Sequence, residues 1–223
     1  MRSDASRLVS CPRDVSVCAC ALTHAPPSSE YMLWTDADSR AFIAENYPWF
    51  LSAFDGYTYA IQRADAIRYF VLHHYGGIYM DLDIGCQRPM DALLYFQVIL
   101  PQTIPVGISN DLMFAEKGHP FMDLVIHNLV TFNHQYGTNY PTVMFSTGPM
   151  FLSAQYGLWP KEDGLGAQKQ VRVLPRRFYG KNAPADELPD SYFTHFYGSS
   201  WHTCVLSPRS LPWTQADRHV PQR

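Results

Sequence analysis

The chain has 223 residues, of which 47% are hydrophobic and 17% charged, and its formal net charge is −3. This composition suits one globular domain with a substantial core, and the absence of a basic block gives no reason to expect nucleic-acid binding. No stretch of the sequence contains the roughly 18 consecutive apolar residues of a membrane span. The five cysteines show no paired zinc-binding spacing.

The first 29 residues show neither a strand pattern nor a membrane anchor. Their best apolar run, Val15–Leu22, is short and follows two charged residues, which makes it a poor signal peptide. We therefore expect residues 1–29 to be an unrelated or disordered leader. Residues 30–204 are expected to form the folded domain, and residues 205–223 a mobile tail.

The folded domain is predicted to begin with a strand and two helices. Tyr31–Trp34 is a short apolar strand, and Thr35-Asp36 ends it. Ser39–Tyr47 and Trp49–Phe54 are predicted helices, divided at Pro48 because proline cannot lie in a helix interior.

A longer helix and an acidic strand are predicted between Arg63 and Cys86. Apolar residues recur at helical spacing through Arg63–Tyr75, and Gly76-Gly77 supplies the left-handed stop that a helix end prefers. Alternation then places Ile78, Met80, Leu82 and Ile84 on one face of a strand, and Tyr79, Asp81 and Asp83 on the other. Asp65 and Arg68 share one face of the helix, where they form either a structural ion pair or part of a site.

The two aspartates of that strand are candidates for metal binding. Asp81 and Asp83 project side by side, and their charges repel each other unless a positive group lies between them. Carboxylate oxygens suit Mg²⁺ or Mn²⁺, which often complete their coordination with water and substrate phosphates. A short Asp-X-Asp also occurs by chance, in which case it is a solvated strand end.

Beyond Cys86 the sequence predicts two strands, a polar segment and a long helix. Val98–Leu100 and Val106–Ile108 are the candidate strands. Asn110 and Asp111 follow them, and an Asx turn explains both residues. Pro120–Asn133 is the clearest helix of this part of the chain, with proline in its first turn.

The last third of the folded domain contains short elements and a basic segment. Val143–Phe145 leads into Ser146–Pro149, where Gly148 permits a close backbone approach, and a short helix follows. Val171–Leu174 is a predicted strand. The segment around it is basic through Lys169, Arg172, Arg176, Arg177 and Lys181. These side chains either attract an inositol-phosphate head group or form a solvated surface loop.

The run RADAIRYFVLHHYGGIYMDLDIGC resembles glycosyltransferase family 32, and within it the fungal inositol phosphoceramide mannosyltransferases. The resemblance extends over roughly residues 31–202, through LWTD, GISNDLM, STGP and GSSWH. It implies an α/β fold of the GT-A type, with a Rossmann-like mixed sheet flanked by helices. In that family a strand ahead of LWTD helps to hold the nucleotide, and we expect this strand to be missing here.

The resemblance also implies roles for individual residues. Asp81 and Asp83 would bind the metal, with His195 as third ligand and His202 as the alternative. Asp65, Arg68 and Asp111 are the expected catalytic residues, and Trp34, Asn110, Gly148 and Trp201 the expected substrate contacts. Structural roles also explain several of these residues, namely a core tryptophan at Trp34, a structural histidine at His195, and turns at Asn110–Asp111 and Gly148.

The implied reaction is the metal-dependent transfer of mannose from GDP-mannose to inositol phosphoceramide in sphingolipid biosynthesis. The cofactor would be Mn²⁺ or Mg²⁺, the stereochemistry retaining, and the location the Golgi membrane or lumen. A regulatory membrane subunit would be the protein partner. Two alternatives remain open. One is an initiating α-mannosyltransferase that acts on protein-linked glycans. The other is an inactive, truncated fragment that binds nucleotide sugars, because the first nucleotide-binding strand is expected to be missing.

Overall fold

A computed structural model describes residues 7–10, 30–160 and 170–196. Its eight strands are β1 Arg7–Ser10, β2 Glu30–Leu33, β3 Gly77–Met80, β4 Ile84–Cys86, β5 Val98–Pro101, β6 Leu112–Ala115, β7 Val171–Leu174 and β8 Phe193–His195. Its seven α-helices are α1 Asp36–Asn46, α2 Pro48–Gly56, α3 Ala60–Tyr75, α4 Pro120–Thr131, α5 Asn139–Ser146, α6 Pro149–Leu158 and α7 Arg176–Tyr179. Short 3₁₀ helices lie at Leu93–Tyr95 and Leu188–Asp190.

Six strands form one mixed sheet in the order β2-β1-β3-β6-β5-β7, and β4 pairs with β8 in a separate antiparallel ribbon. Strands β2, β1 and β3 run parallel to one another, and β7 runs parallel to β5. Strand β6 is antiparallel to both of its neighbours. The predicted Rossmann-like mixed sheet with flanking helices is therefore confirmed.

The first two helices are present as predicted, although α1 begins at Asp36 and not at Ser39, and α2 extends to Gly56. Thr35 caps α1 in a capping box with Asp38, in which each side chain accepts from the backbone of the other. Pro48 occupies the first turn of α2, where its missing N–H has no partner to lose. None of the helices within the described residues combines the length and the hydropathy needed to cross a bilayer.

The sheet separates two layers of core. Tyr79, Met113 and Ala115 face the larger cluster, which contains the buried faces of α1 to α4 and of α6. Ile78, Met80, Leu112 and Phe114 face the smaller cluster, which also contains Phe193 and Tyr179. The alternation predicted for Ile78, Tyr79 and Met80 is therefore confirmed, because neighbouring side chains of a strand point to opposite faces.

The acidic segment is not part of one long strand. Strand β3 ends at Met80, and the chain turns through Asp81-Leu82-Asp83, where the Ile84 N–H donates to the Asp81 carbonyl at 3.1 Å. Strand β4 then leaves the main sheet and pairs with β8. The prediction of continuous alternation to Ile84 was wrong, because this turn satisfies the backbone groups that a longer strand would have paired.

One predicted strand is absent, and one run to which the sequence analysis assigned no element lies in a helix. The strand expected at Val106–Ile108 is a loop, in which Ile108 makes an isolated β-bridge to Gln102. The strand in this part of the chain is β6, which begins four residues later. Strand β6 is apolar at every position because both of its faces are buried, so it shows no alternation. The β-branched and aromatic run at Val143–Phe145 lies in helix α5, whose first turn accommodates Pro141.

The largest correction concerns the start of the chain. Residues 7–10 form β1, which lies between β2 and β3 and pairs in parallel with both of them. The expectation that the strand ahead of LWTD is missing was therefore wrong. The strand has four residues and only two apolar ones, so its pattern is too short to distinguish it from a loop. Long-range backbone pairing defines it.

Candidate active site

Polar side chains from three segments meet at one edge of the sheet. Because β3 and β6 are antiparallel and Met80 pairs with Leu112, the next residue, Asp81, lies beside the preceding one, Asp111. The Asp81 N–H donates to the Asp111 carbonyl at 2.8 Å. The segment that follows β7 starts at the same edge, since β7 is parallel to β5 and β5 is antiparallel to β6. This is the carboxyl edge of β3, where α/β sheets usually bind ligands.

Helix α3 contributes a buried ion pair to this edge. Asp65 Oδ1 lies 3.0 Å from Arg68 Nη2, and both side chains are almost fully buried. The Asn110 amide donates to the same oxygen at 3.0 Å, and Thr147 Oγ1 donates to Asp65 Oδ2 at 3.2 Å. Arg68 Nη1 in turn donates to the Asn110 carbonyl at 2.7 Å. These contacts connect α3, the segment before β6 and the start of α6.

Arg68 also connects this network to the acidic turn. Its Nη1 lies 3.4 Å from Asp81 Oδ1, and its guanidinium lies 4.7 Å from the centre of the Tyr79 ring. The Tyr79 hydroxyl donates to the same Asp81 oxygen at 2.7 Å. Burial raises the pKa of Asp65 to about 6, although Arg68 acts in the opposite direction. Arg68 therefore lies between two acids, and its donors are fixed in direction.

Asp111 is held from the other side of the site. The Tyr179 hydroxyl donates to its Oδ1, and Lys181 Nζ donates to its Oδ2 at 2.6 Å. Burial acts to raise the pKa of Asp111, but the nearby Lys181 charge and these hydrogen bonds lower it. Asp111 lies at the predicted site, and both of its oxygens contact residues that follow β7.

The acidic residues of the site fit a divalent cation. Burial, followed by the negative charges of Asp81 and Asp111, raises the pKa of Asp83 to about 6. Burial and the charge of Asp111 likewise raise the pKa of Asp81, against the effect of Arg68. Such crowding of carboxylates is relieved by a hard cation that takes its remaining ligands from water and phosphate oxygens. Asp81 and Asp83 are the residues that would hold it.

His195 lies next to this turn, because it pairs with Ile84 across the β4–β8 ribbon. Its Nε2 lies 3.0 Å from the Tyr179 carbonyl, which can only accept, so this nitrogen carries a proton and donates. Within the described part of the chain, no three His, Cys, Asp or Glu side chains are placed to hold a metal ion. His195 as the third metal ligand stays a prediction, because a histidine whose Nε2 donates to a carbonyl can bind a metal through Nδ1. His202 lies outside the described residues.

Of the remaining predicted substrate contacts, two make structural contacts and the third lies outside the described residues. Trp34 is buried and packs edge-to-face on Phe42, with 5.0 Å between the ring centres. This contact favours the core interpretation. A Cβ on Gly148 would lie 3.0 Å from the Val143 carbonyl, so the close approach that Gly148 permits is to helix α5. Trp201 lies outside the described residues.

Four site residues have contacts that the sequence did not indicate. Tyr179 and Lys181 bind Asp111, Thr147 donates to Asp65, and Tyr69 accepts from the Asn110 amide at 3.0 Å. Lys181 was considered only as a member of a basic surface segment. The available signal was its position shortly after a strand that ends at the ligand-binding edge.

Comparison with known proteins agrees with this geometry. Residues 12–102 match the family described as "Glycosyltransferase sugar-binding region containing DXD motif". Asp81-Leu82-Asp83 lies in that range. A second Asp-X-Asp, at Asp36-Ala37-Asp38, also lies there, but Asp38 is engaged in the capping box of α1.

Similar proteins include two fungal transferases. Inositol phosphoceramide mannosyltransferase 1 of Schizosaccharomyces pombe is 51% identical over 78% of this chain and 51% of its own length. Mannosyl phosphorylinositol ceramide synthase SUR1 of Saccharomyces cerevisiae is 44% identical over 79% of this chain and 44% of its own length. The chain thus spans about half the length of these relatives.

Solved structures support the fold. The glycosyltransferase GlyE of Streptococcus pneumoniae TIGR4 matches 92% of this chain and 58% of its own, with a TM-score of 0.52 and 9% identity. PaToxG glycosyltransferase matches 70% and 69% of the two chains, with a TM-score of 0.51 and 14% identity. The predicted GT-A-type fold is therefore confirmed. This chain is similar to the fungal inositol phosphoceramide mannosyltransferases, and its residues 12–102 match the sugar-binding region of a glycosyltransferase family that contains a DXD motif.

Proposed function

We propose that this chain contains the catalytic domain of a divalent-cation-dependent mannosyltransferase, which transfers mannose from GDP-mannose to inositol phosphoceramide at a Golgi membrane. The observation that carries the proposal is the joining of Asp65, Arg68 and Asn110 to the acidic turn at the edge of the sheet. The names of the similar fungal proteins support mannose as the sugar and inositol phosphoceramide as the acceptor.

The residues of the site have separate tasks in such a transfer. Arg68 holds Asp81 at the edge of the site, and Asp65 and the Asn110 carbonyl hold the Arg68 guanidinium in place. Asp81 and Asp83 would hold the cation, which supplies positive charge to the leaving diphosphate. We assign no nucleophile.

The test is a transfer assay with a matched pair of variants. Wild-type protein is incubated with Mn²⁺, GDP-mannose and inositol phosphoceramide in detergent micelles, and the mannosylated lipid is measured by mass spectrometry. Asp83→Asn should reduce turnover by at least about 10²-fold, because it removes a charge from the cation site. Asp91→Asn, at an exposed position away from the site, should leave turnover unchanged.

Three results of this assay would contradict parts of the proposal. Wild-type protein that transfers no mannose with Mn²⁺ or Mg²⁺ would exclude the proposed activity. Transfer to a protein-linked glycan in place of the lipid would change the acceptor. Full turnover by folded Asp83→Asn protein would remove the cation site at the acidic turn.

A further inference from the structure

Among the described residues, Lys181 makes the shortest ion pair at the acidic edge of the sheet. Its Nζ lies 2.6 Å from Asp111 Oδ2, and its side chain keeps 31% of its surface exposed while that of Asp111 keeps 8%. The negative charges of Asp111, Asp81 and Asp83 raise its pKa, against the effect of burial. The ammonium group of Lys181 is therefore bound to a buried acid, and the partly exposed side chain lies near the acidic turn.

The backbone around Lys181 is fixed. The preceding residue, Gly180, has a left-handed φ of 82°, and a Cβ there would lie 2.3 Å from Ser191 Oγ. The Tyr192 N–H donates to the Phe178 carbonyl at 2.9 Å, and His195 donates to the Tyr179 carbonyl. The β8 segment thus holds the turn that carries Lys181. The lysine head group can change partner while its backbone stays in place.

Negative charges exceed positive charges at this edge of the sheet. Asp81, Asp83 and Asp111 contribute three carboxylates, and Arg68 is already shared between Asp65 and Asp81. Lys181 therefore neutralises part of the cluster in the free protein. A divalent cation that binds to Asp81 and Asp83 takes over this neutralisation, and it also repels the nearby ammonium group. A diphosphate brought in with the cation offers the lysine new anionic partners.

We propose that Lys181 is an internal counter-cation that moves from Asp111 to the donor diphosphate when cation and donor bind. In the free protein it weakens cation binding, and in the donor complex it stabilises the negative charge of the leaving group. This inference rests on the proposed function, because it requires a nucleotide-diphosphate donor. It assigns Lys181 as a further catalytic residue.

The test separates cation affinity from turnover. Mn²⁺ binding to the protein without nucleotide is measured by calorimetry, and mannose transfer is measured on the same preparations. Lys181→Met should bind Mn²⁺ about tenfold more tightly, because a repelling charge is gone. The same variant should turn over about 10²-fold more slowly. Lys181→Arg, which keeps the charge, should recover most of the turnover. Lys117→Met is the control, since Lys117 is exposed, follows the end of β6 opposite to the site and should change neither quantity.

A second variant guards against misfolding. Lys181→Met leaves Asp111 buried without its cation, so the double variant Lys181→Met/Asp111→Asn removes both charges together. The double variant should have the same unfolding temperature as wild type, and its turnover should still be slow. Wild-type turnover in this folded double variant, or weaker Mn²⁺ binding by Lys181→Met, would overturn the inference while the proposed function stands. A wild-type protein that binds no Mn²⁺ and transfers no mannose would overturn both.

Discussion

A single side chain, Arg68, sets the energetic problem of this site. Its guanidinium is buried, and a buried charge is costly unless it is paired and hydrogen-bonded. Asp65, the Asn110 carbonyl and the Tyr79 ring supply those partners. Asp65 is therefore retained at a position where burial disfavours its charge. Because burial disfavours the charged form of Asp65, the contribution of Asp65 to the free energy of unfolding depends on pH.

We predict that Asp65 makes folding less favourable as the pH rises. Its pKa in the folded chain is about 6, against 3.8 for an unperturbed aspartate, so the folded state binds more protons between these values. Stability from this group is present below about pH 4 and is lost as the pH rises through 6. The loss amounts to about 3 kcal/mol for a shift of this size.

Urea unfolding of wild type and Asp65→Asn between pH 4 and pH 7 measures this contribution. The free energy of unfolding of wild type, minus that of the variant, should fall by about 2 kcal/mol across the range. The other acids titrate in both proteins and largely cancel. A difference that is constant, or that increases with pH, would show that Arg68 and the hydrogen bonds outweigh burial at Asp65.

At this scale the sequence predicts residue types better than contacts. Asp65, Arg68, Asn110 and Asp81 come together as expected, because helical spacing and a strand end constrain where they lie. The partners of Asp111 could not be predicted, since Lys181 lies 70 positions away in the sequence. Sequence spacing carries no information about a contact of that range unless the order of the strands is known.

At the scale of elements, periodicity identifies helices and fails for strands buried on both faces. Helices α3 and α4 were predicted from an apolar stripe that repeats along each of them, and the shorter α1, α2 and α6 were predicted next to prolines that divide or start a helix. Strand β6 has no polar position, and α7 has four residues, too few to show a period. The short helix nevertheless positions Tyr179 and Lys181, and Gly180 ends it.

We predict that Gly180 is essential to that turn. Alanine there would adopt a left-handed φ of 82° and place its Cβ 2.3 Å from Ser191 Oγ and 2.7 Å from the Phe193 carbonyl. Strain and clash together should cost about 3 kcal/mol, measured by urea unfolding, and transfer should fall because Lys181 is displaced. Gly118→Ala separates the two causes, because Gly118 has φ +67° but open space around it. It should lose only about 1 kcal/mol. Equal losses in the two variants would show that the contact with Ser191 is unimportant.

At the scale of the whole molecule, the order of the strands brings the site together. One reversal of direction, at β6, places Asp111 beside Asp81, and the parallel pair β5–β7 brings the Lys181 segment to the same edge. The GT-A-type fold could be predicted from the sequence through its family resemblance. The place of β1 could not, because parallel partners lie at residues 30–33 and 77–80 and no local pattern specifies them.

Strand β1 gives the prediction that tests the whole architecture. Because β1 lies between β2 and β3, its backbone groups are paired on both edges, and Val9 is in register with Met32 and Tyr79. Val9→Pro removes an N–H from this ladder and should lower the free energy of unfolding by about 2 to 3 kcal/mol. Val9→Thr keeps the N–H and the β-branched shape, so it controls for the loss of the valine side chain. If the proline and threonine variants unfold at the same urea concentration, residues 7–10 contribute nothing to the sheet, and the expectation of an unrelated leader would be supported.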